Sequence, residues 1–467
     1  MTCKSSLLLH SPMAAGFRLL LILLSALVFS APGAVAAEPE DDEDWPLSFR
    51  IIDRFWAGDY GRVITDAPRS LVEEPGNNEV RFAYARSLLW HGHAWAAAAP
   101  FRELLNSEFD AEARLGLAHA LAWTGRLAQS IPHYSSLLEG PLEKEARLGV
   151  AHAQRWRGRP ELALPQYRRA MTNDPASKEA AYGALYAERA LRPRTVIGAN
   201  FSQDSTPMDR KDLVVQHSWR DPSQTRIYSL EQVIDRDAEP DLSRRQREFS
   251  LGVEDLDMVL APRLELSVQN TPNSLAFAHL RLKLAESPLY LNVGRVNWGK
   301  LAFNAHALDK GLTARRAGVE GKIQTPLGEV RGFINRYAIS DGNRVLNGDV
   351  RLTPWWRLYG PEVRAYAGIA WRDAKRRADH YWSPTRYVVG YLGVEGEWET
   401  PEWSAFAFAT VGTRLAGEAA PFWSTGVNVK RWLDRDWAVG GNLWAQSNGQ
   451  GENYRAHGFG VRIERLW

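Results

Sequence analysis

The chain has one cysteine, Cys3, in 467 residues. Cys3 precedes an apolar stretch expected to be removed, so the mature protein should have neither a disulfide nor thiol chemistry. Its place before that stretch also rules it out as a lipoprotein acceptor. Beyond Leu19 to Phe29 the sequence has no long apolar run, so no helix of the mature chain should span a bilayer. Neither sign of charge dominates. The net charge is +2, which argues against nucleic acid as a partner. There is no phosphate loop, no metal-spaced cluster and no nucleophile elbow, so no cofactor, no metal and no catalytic residue is expected. His217 and Ser218 are neighbours and would point to opposite faces of a strand. His279, His306, His380 and His457 lack the His-x-Ser spacing of an outer-membrane hydrolase.

Lys4 and Arg18 lead into the apolar run, and Ala34-Val35-Ala36-Ala37 follows it. This is the layout of a signal peptide over 1–37, cleaved near Ala36 or Ala37, with Met1 or Met13 as its start. Residues 38–46 form an acidic linker ending in Trp45-Pro46.

Residues 47–190 repeat at about 33-residue intervals. Glu79-Val80-Arg81, Glu112-Ala113-Arg114 and Glu145-Ala146-Arg147 align. So do Trp90, Trp123 and Trp156, then Gly92, Gly125 and Gly158, then Phe101, Tyr134 and Tyr167. Ala151, Gly158, Ala163, Tyr167, Ala170 and Pro175 occupy small, turn, small, aromatic, small and terminating-proline positions. On those residues the third copy resembles the tetratricopeptide repeat, which implies stacked helical hairpins and a concave binding surface. Ser130 and Leu137 in the second copy depart from the pattern. A weaker copy spans Leu47 to Pro75, and Lys178 to Ala190 would cap the array. Arg86, His119 and His152 are equivalent in successive copies and are expected on the concave face, either as a ligand-facing row or as half-buried polar groups.

After Leu191-Arg192-Pro193-Arg194 the period changes from about 3.6 to 2. From 195 to 467 the chain alternates apolar and polar residues in segments of about ten, separated by turns. Ala278, Leu280, Leu282 and Leu284 alternate with His279, Arg281 and Lys283. The expected fold is α + β in separate domains: a tetratricopeptide-like α-solenoid, then a transmembrane antiparallel β-barrel of about 16 strands, 14 being the alternative. The 19 tryptophans fit interfacial girdles or ordinary core packing. Long links are expected at 203–211, 236–244, 298–312, 374–385, 414–421 and 447–453, all on the outer side. Tight periplasmic turns are expected at Asp221-Pro222, Ser287-Pro288, Thr325 to Gly328, Thr400-Pro401 and Asp434 to Asp436. The stretches 298–312 and Asp373 to Thr385 are candidate gates. In the last segment Phe459, Val461, Ile463 and Trp467 share a face, resembling the strand by which barrel assembly machinery recognises outer-membrane barrels. Arg465 falls on that face as well, where it would snorkel at the interface.

The alternation also assigns a lumen. Arg263, Glu265, Arg281 and Lys283 are expected inside, with Arg316, Glu320 and Lys322. Farther on come Arg364, Tyr366, Arg372, Glu395 and Glu397, and in the last strand Arg462 and Glu464. They would either brace the barrel as ion-pair ladders or contact a polar polymer.

The order of signal peptide, helical repeats and barrel resembles the outer-membrane exopolysaccharide exporters of the poly-N-acetylglucosamine porin and cellulose synthase subunit type. Tyr381-Trp382-Ser383-Pro384 is similar to a segment of the cellulose-type barrels, whereas the solenoid is shorter than theirs. The resemblance implies a non-enzymatic channel in the outer membrane of a Gram-negative bacterium, with its repeat domain in the periplasm. It implies a polysaccharide as cargo, and as partner a periplasmic polysaccharide-modifying enzyme or synthase complex. The alternative is a barrel-anchored scaffold or receptor whose repeats bind a periplasmic partner without transport.

Overall fold

A computed structural model describes residues 45–205, 208–240, 242–270, 275–284, 289–302, 304–355, 362–447 and 454–467. The signal peptide, Cys3, most of the acidic linker, the Ser287-Pro288 turn and 448–453 lie outside the described residues. The chain divides into two compact units, 1–50 and Ile51–Trp467. In the first, the Trp45 ring packs edge-on against Phe49 at 6.1 Å.

Nine helices precede the strands among the described residues: α1 (Leu47–Trp56), α2 (Tyr60–Glu73), α3 (Asn78–Trp90), α4 (Ala94–Glu103), α5 (Asp110–Trp123), α6 (Leu127–Ser135), α7 (Glu143–Trp156), α8 (Pro160–Asn173) and α9 (Lys178–Leu191). Short polar side chains start several of them. Asn77 accepts the Val80 amide at 3.1 Å, and Ser177 accepts that of Ala180 at 3.3 Å. The turns within the hairpins use left-handed glycines, with φ of +88° at Gly92 and +76° at Gly125. Stacking between hairpins depends on a second glycine row. Phe101, Tyr134 and Tyr167, each at most 1% exposed, pack against Gly116, Gly149 and Gly183 of the next helix in the array, where a methyl group would overlap the ring. That row explains how large aromatics fit between helices with otherwise small side chains.

Sixteen strands follow and close a single antiparallel barrel, each paired with its sequence neighbours and β1 with β16. They are β1 (Arg194–Asp204), β2 (Asp209–Arg220), β3 (Arg226–Glu239), β4 (Leu242–Asp255), β5 (Arg263–Asn270), β6 (Leu275–Leu284), β7 (Leu289–Asn297) and β8 (Thr313–Thr325). The second half comprises β9 (Gly328–Ile339), β10 (Arg344–Pro354), β11 (Val363–Ala374), β12 (Tyr387–Glu399), β13 (Trp403–Gly417), β14 (Phe422–Trp432), β15 (Trp437–Ser447) and β16 (Arg455–Leu466). Two short helices, α10 (Trp298–Ala302) and α11 (Ala305–Asp309), join β7 to β8.

Register fixes the faces. Arg194 pairs with Leu466 and Phe201 with Phe459, so each pair shares a face. Ile197, Phe249, Leu266, Ile369, Leu392, Leu443 and Val461 are exposed on the outer face, where lipid would cover them. Trp398, Trp403, Trp437 and Trp467 gather on that face at the end nearest the helices, as an interfacial girdle. Arg465 lies there as well, stacked on the Trp467 ring at 3.7 Å.

Two expectations about connections are corrected. The stretch 236–244 is a hairpin between two 14-residue strands rather than a long link. Its charges made it read as a loop, but Asp237 points inward and is buried against Arg210. The sidedness is also less strict than expected. The connection 256–262 is long and lies at the end nearest the helices, which the alternation of tight and long links does not anticipate.

The glycine row gives a direct test. Gly149→Ala should lower the melting temperature of the helical repeats, read as ellipticity at 222 nm. The ring overlap costs roughly 1–3 kcal/mol and the gain in helix propensity returns at most about 1. Gly61→Ala, which meets only the Asp59 side chain at 3.9 Å, should be neutral or stabilising.

Candidate functional site: the lumen and its mouth

The helices are fastened to one end of the barrel. Arg192 donates to the carbonyls of Leu466 and Arg435, at 3.1 and 3.2 Å, and pairs with Asp436 at 2.7 Å. Arg189 donates to the Pro401 carbonyl at 2.6 Å and lies 3.9 Å over the Trp432 ring. The hairpin turns touch the same rim. Arg159 pairs with Asp257 at 2.9 Å in the β4–β5 connection. Gly125 abuts Gln324 near the end of β8, and Gly92 approaches the Trp355 carbonyl after β10. The turn of each of these three hairpins therefore meets a different sector of the mouth.

Trp90, Trp123 and Trp156 stand two residues before those turns and are 44–48% exposed. Trp56, in register with them, is 78% exposed. Such a row is costly to leave in water and offers flat faces to a ligand. Arg86, His119 and His152 form the line beside it. Arg86 lies 4.2 Å over the Trp90 ring. The ring nitrogen of His119 meets the Tyr134 hydroxyl at 2.8 Å, and that of His152 meets Tyr167 at 2.7 Å. Both histidines are half-buried and hydrogen-bonded. Burial, reinforced by the Arg86 cation, pushes His119 down to about 4.

Inside the barrel, Arg263, Glu265, Arg281 and Lys283 occupy the inward positions of β5 and β6. Arg316, Glu320 and Lys322 do so in β8, and Arg364, Tyr366 and Arg372 in β11. Glu395 and Glu397 share that face in β12, and Arg462 and Glu464 in β16. Their grouping follows a rule. Glu395 lies between Arg351 and Arg364, both at 3.0 Å. Glu464 lies between Arg194 and Lys430, at 3.0 and 3.2 Å. Glu329 lies between Lys322 and Arg331, at 3.1 and 2.8 Å. Glu320 faces Arg281 at 3.4 Å and Arg316 at 3.7 Å. Arg263 pairs with Glu265 at 3.8 Å, and Arg372 lies over the Trp382 ring at 5.0 Å.

An aromatic wall adjoins the cations of β6–β10, and Arg351 lies 4.4 Å over the Tyr366 ring. Tyr366, Tyr391, Phe406, Phe408 and Phe422 line a cavity of about 940 Å³ together with Arg281, Lys322, Arg331 and Arg351. The Tyr366 hydroxyl meets Thr410 at 2.5 Å, and Tyr391 donates to Asp349 at 2.7 Å. Phe406 and Phe408 were not legible as lumen residues. Their neighbours Ala405, Ala407 and Ala409 are also apolar, so alternation in size replaces alternation in polarity. The triad partners Arg351 and Lys430 are likewise set by register between strands rather than by spacing along one, whereas Arg331 meets Glu329 two residues away on β9.

At the far end, α10 and α11 fold against the opposite wall. Lys300 reaches Glu248 at 2.9 Å and Asp235 at 3.6 Å, and Asp309 pairs with Arg244. Trp298, 2% exposed, packs there with Tyr337 and with Tyr381 of the 375–386 connection. The two stretches singled out as candidate gates thus pack on each other.

The protein has a β-barrel of outer-membrane type. No protein-family model and no curated protein matches the chain. Among solved structures, a bacterial polysaccharide outer membrane secretin is similar over 59% of this chain and 98% of its own, at 11% identity and TM-score 0.48. OccK11 (OpdR) of Pseudomonas aeruginosa is similar over 59% and 96%, at 7% identity and TM-score 0.34. CdiB from Acinetobacter baumannii is similar over 58% and 60%, at 7% identity and TM-score 0.38. Such likeness concerns fold and says nothing of cargo.

The two half-buried histidines should make the repeats acid-sensitive. The folded value of His119 lies below the ordinary 6.5, so its contribution is complete above about pH 6.5 and fades as pH falls toward 4. His152, also lowered by burial, acts in the same direction. The repeats should melt earlier at pH 4.5 than at 7.5. The His119 share approaches on the order of 3 kcal/mol below pH 4. In a pH series of melting curves, His119→Gln should show a shallower slope.

Proposed function

We propose that the protein is an outer-membrane channel exporting a polysaccharide, with its helical repeats in the periplasm. The observation that carries this reading is the exposed tryptophan row, whose turns sit on the barrel mouth and whose aromatic character resumes inside on β11–β14. Sugar rings present C–H faces that stack on aromatic rings and hydroxyls that exchange hydrogen bonds with charged and amide groups. A surface of this kind holds each residue of a polymer weakly and in many equivalent places, which suits sliding rather than capture. The likeness of the repeats to tetratricopeptide hairpins fits a second role, docking a periplasmic enzyme or synthase that acts on the polymer. Neither role requires a catalytic residue or a cofactor in this chain. The force for movement would come from synthesis of the polymer elsewhere.

Deletion of the gene should leave polymer in the periplasm and strip it from the cell surface; normal surface polymer in the deletion strain would contradict the reading. Replacing Trp90, Trp123 and Trp156 together by Ala should cut surface polymer several-fold. The barrel itself should persist, read as the heat-modifiable band on gels.

A further inference from the structure

We infer that the exported polysaccharide is acidic, its sugar residues bearing carboxylates, and that the cation–carboxylate–cation triads of the lumen are what select it. This rests on the export reading and adds the substrate class.

Each triad holds two cations and one carboxylate, so each carries one excess positive charge. If the triads only braced the wall, one-to-one pairing would suffice and would leave no field. Exposure decides which charge a solute meets. The carboxylates of Glu395, Glu464 and Glu329 are 5%, 6% and 10% exposed, beneath their partners. The six cations above them are 18–49% exposed. At these three triads the charge facing the axis is therefore positive, although the chain as a whole is nearly neutral; the Glu320 group differs, its carboxylate being 34% exposed against 31% for Arg281 and 20% for Arg316. A positive lining within low-dielectric walls concentrates anions along the axis.

Position supports the same conclusion. Arg194 begins β1 and Val363 begins β11, so the Glu464 and Glu395 triads lie in the barrel half nearest the repeats. Glu329 is the second residue of β9, at the same level. The cations are thus met on entry, directly beyond the tryptophan row. The remaining sector, β3–β5, carries Glu231, Glu254 and the Glu265–Arg263 pair and is net acidic, so the cationic ring is open on one side. The carboxylates of the far end, Asp235, Asp237 and Glu248, are engaged by Arg210 and Lys300. The cavity brings cations and aromatics together, with Glu320, Asp349 and Glu395 also in its lining, and it suits a carboxylated sugar. The sugar ring would stack on Tyr391 or Phe408, while its carboxylate meets Arg331 or Lys322.

The test uses the full chain in detergent, with fluorescent oligosaccharides of equal length followed by anisotropy. Oligogalacturonate supplies a carboxylate on each residue, chitosan oligomers a cation, and maltooligosaccharide neither. Oligogalacturonate should bind at least tenfold tighter than maltooligosaccharide and weaken steeply with salt. Arg331→Gln leaves Lys322 on Glu329 and keeps the carboxylate paired, so the barrel should fold; it should lose at least threefold in oligogalacturonate affinity and nothing for maltooligosaccharide. Tighter binding of chitosan oligomers, or no preference among the three, would overturn the proposal. Planar bilayers separate this from the export reading. A current that oligogalacturonate blocks supports both, whereas preferential binding with no passage or block in any bilayer would sink export and leave the anion preference standing.

Discussion

The pairing of β1 with β16 is the contact on which the rest depends. In hydrocarbon an unpaired strand edge leaves a row of amides and carbonyls without partners, each costing several kcal/mol, so the sheet must close or leave the membrane. Closure in the register Arg194 to Leu466 and Asp204 to Ala456 removes both edges. It also commits every strand to one phase of alternation, because a slip of one residue would turn the charges toward lipid.

The same closure places the helices. The last helix ends at Leu191 and the first strand begins at Arg194, so the repeats leave the barrel at the rim where β16 finishes. Arg192 and Arg189 fasten this junction to two connections of that rim and to the end of β16. Repeat stacking then carries the array around the mouth, since the ring–glycine contacts set a fixed offset between hairpins. The tryptophans that end the helices before successive turns are thereby lined up at the entrance. A local packing rule in the helices and a global rule in the sheet thus produce one continuous surface.

How much of this could be read beforehand follows from which forces are local. The repeat period, the change from helical to strand period, and the inward set from Arg263 to Glu464 depend on spacing along one segment, and they were legible. The triads were not, because each joins residues from two or more strands whose register only pairing defines. Phe406 and Phe408 escaped because their alternation is in size. The hairpin at 236–244 reads as a loop because a lumen wall carries charge in water-facing positions without ceasing to be strand. The docking of the turns on the rim has no sequence signature, since Gly92 and Gly125 are already explained by their positive φ.

The most direct measurement concerns that docking. Arg159 and Asp257 lie 2.9 Å apart across the junction of repeats and barrel. In a chain carrying Arg159→Cys and Asp257→Cys, a short bifunctional maleimide added to native membranes should link the two sites. Protease cleavage between them would then leave one joined species. Efficient labelling of each cysteine alone, with no joined species, would mean that the repeats do not rest on the mouth and would contradict the account.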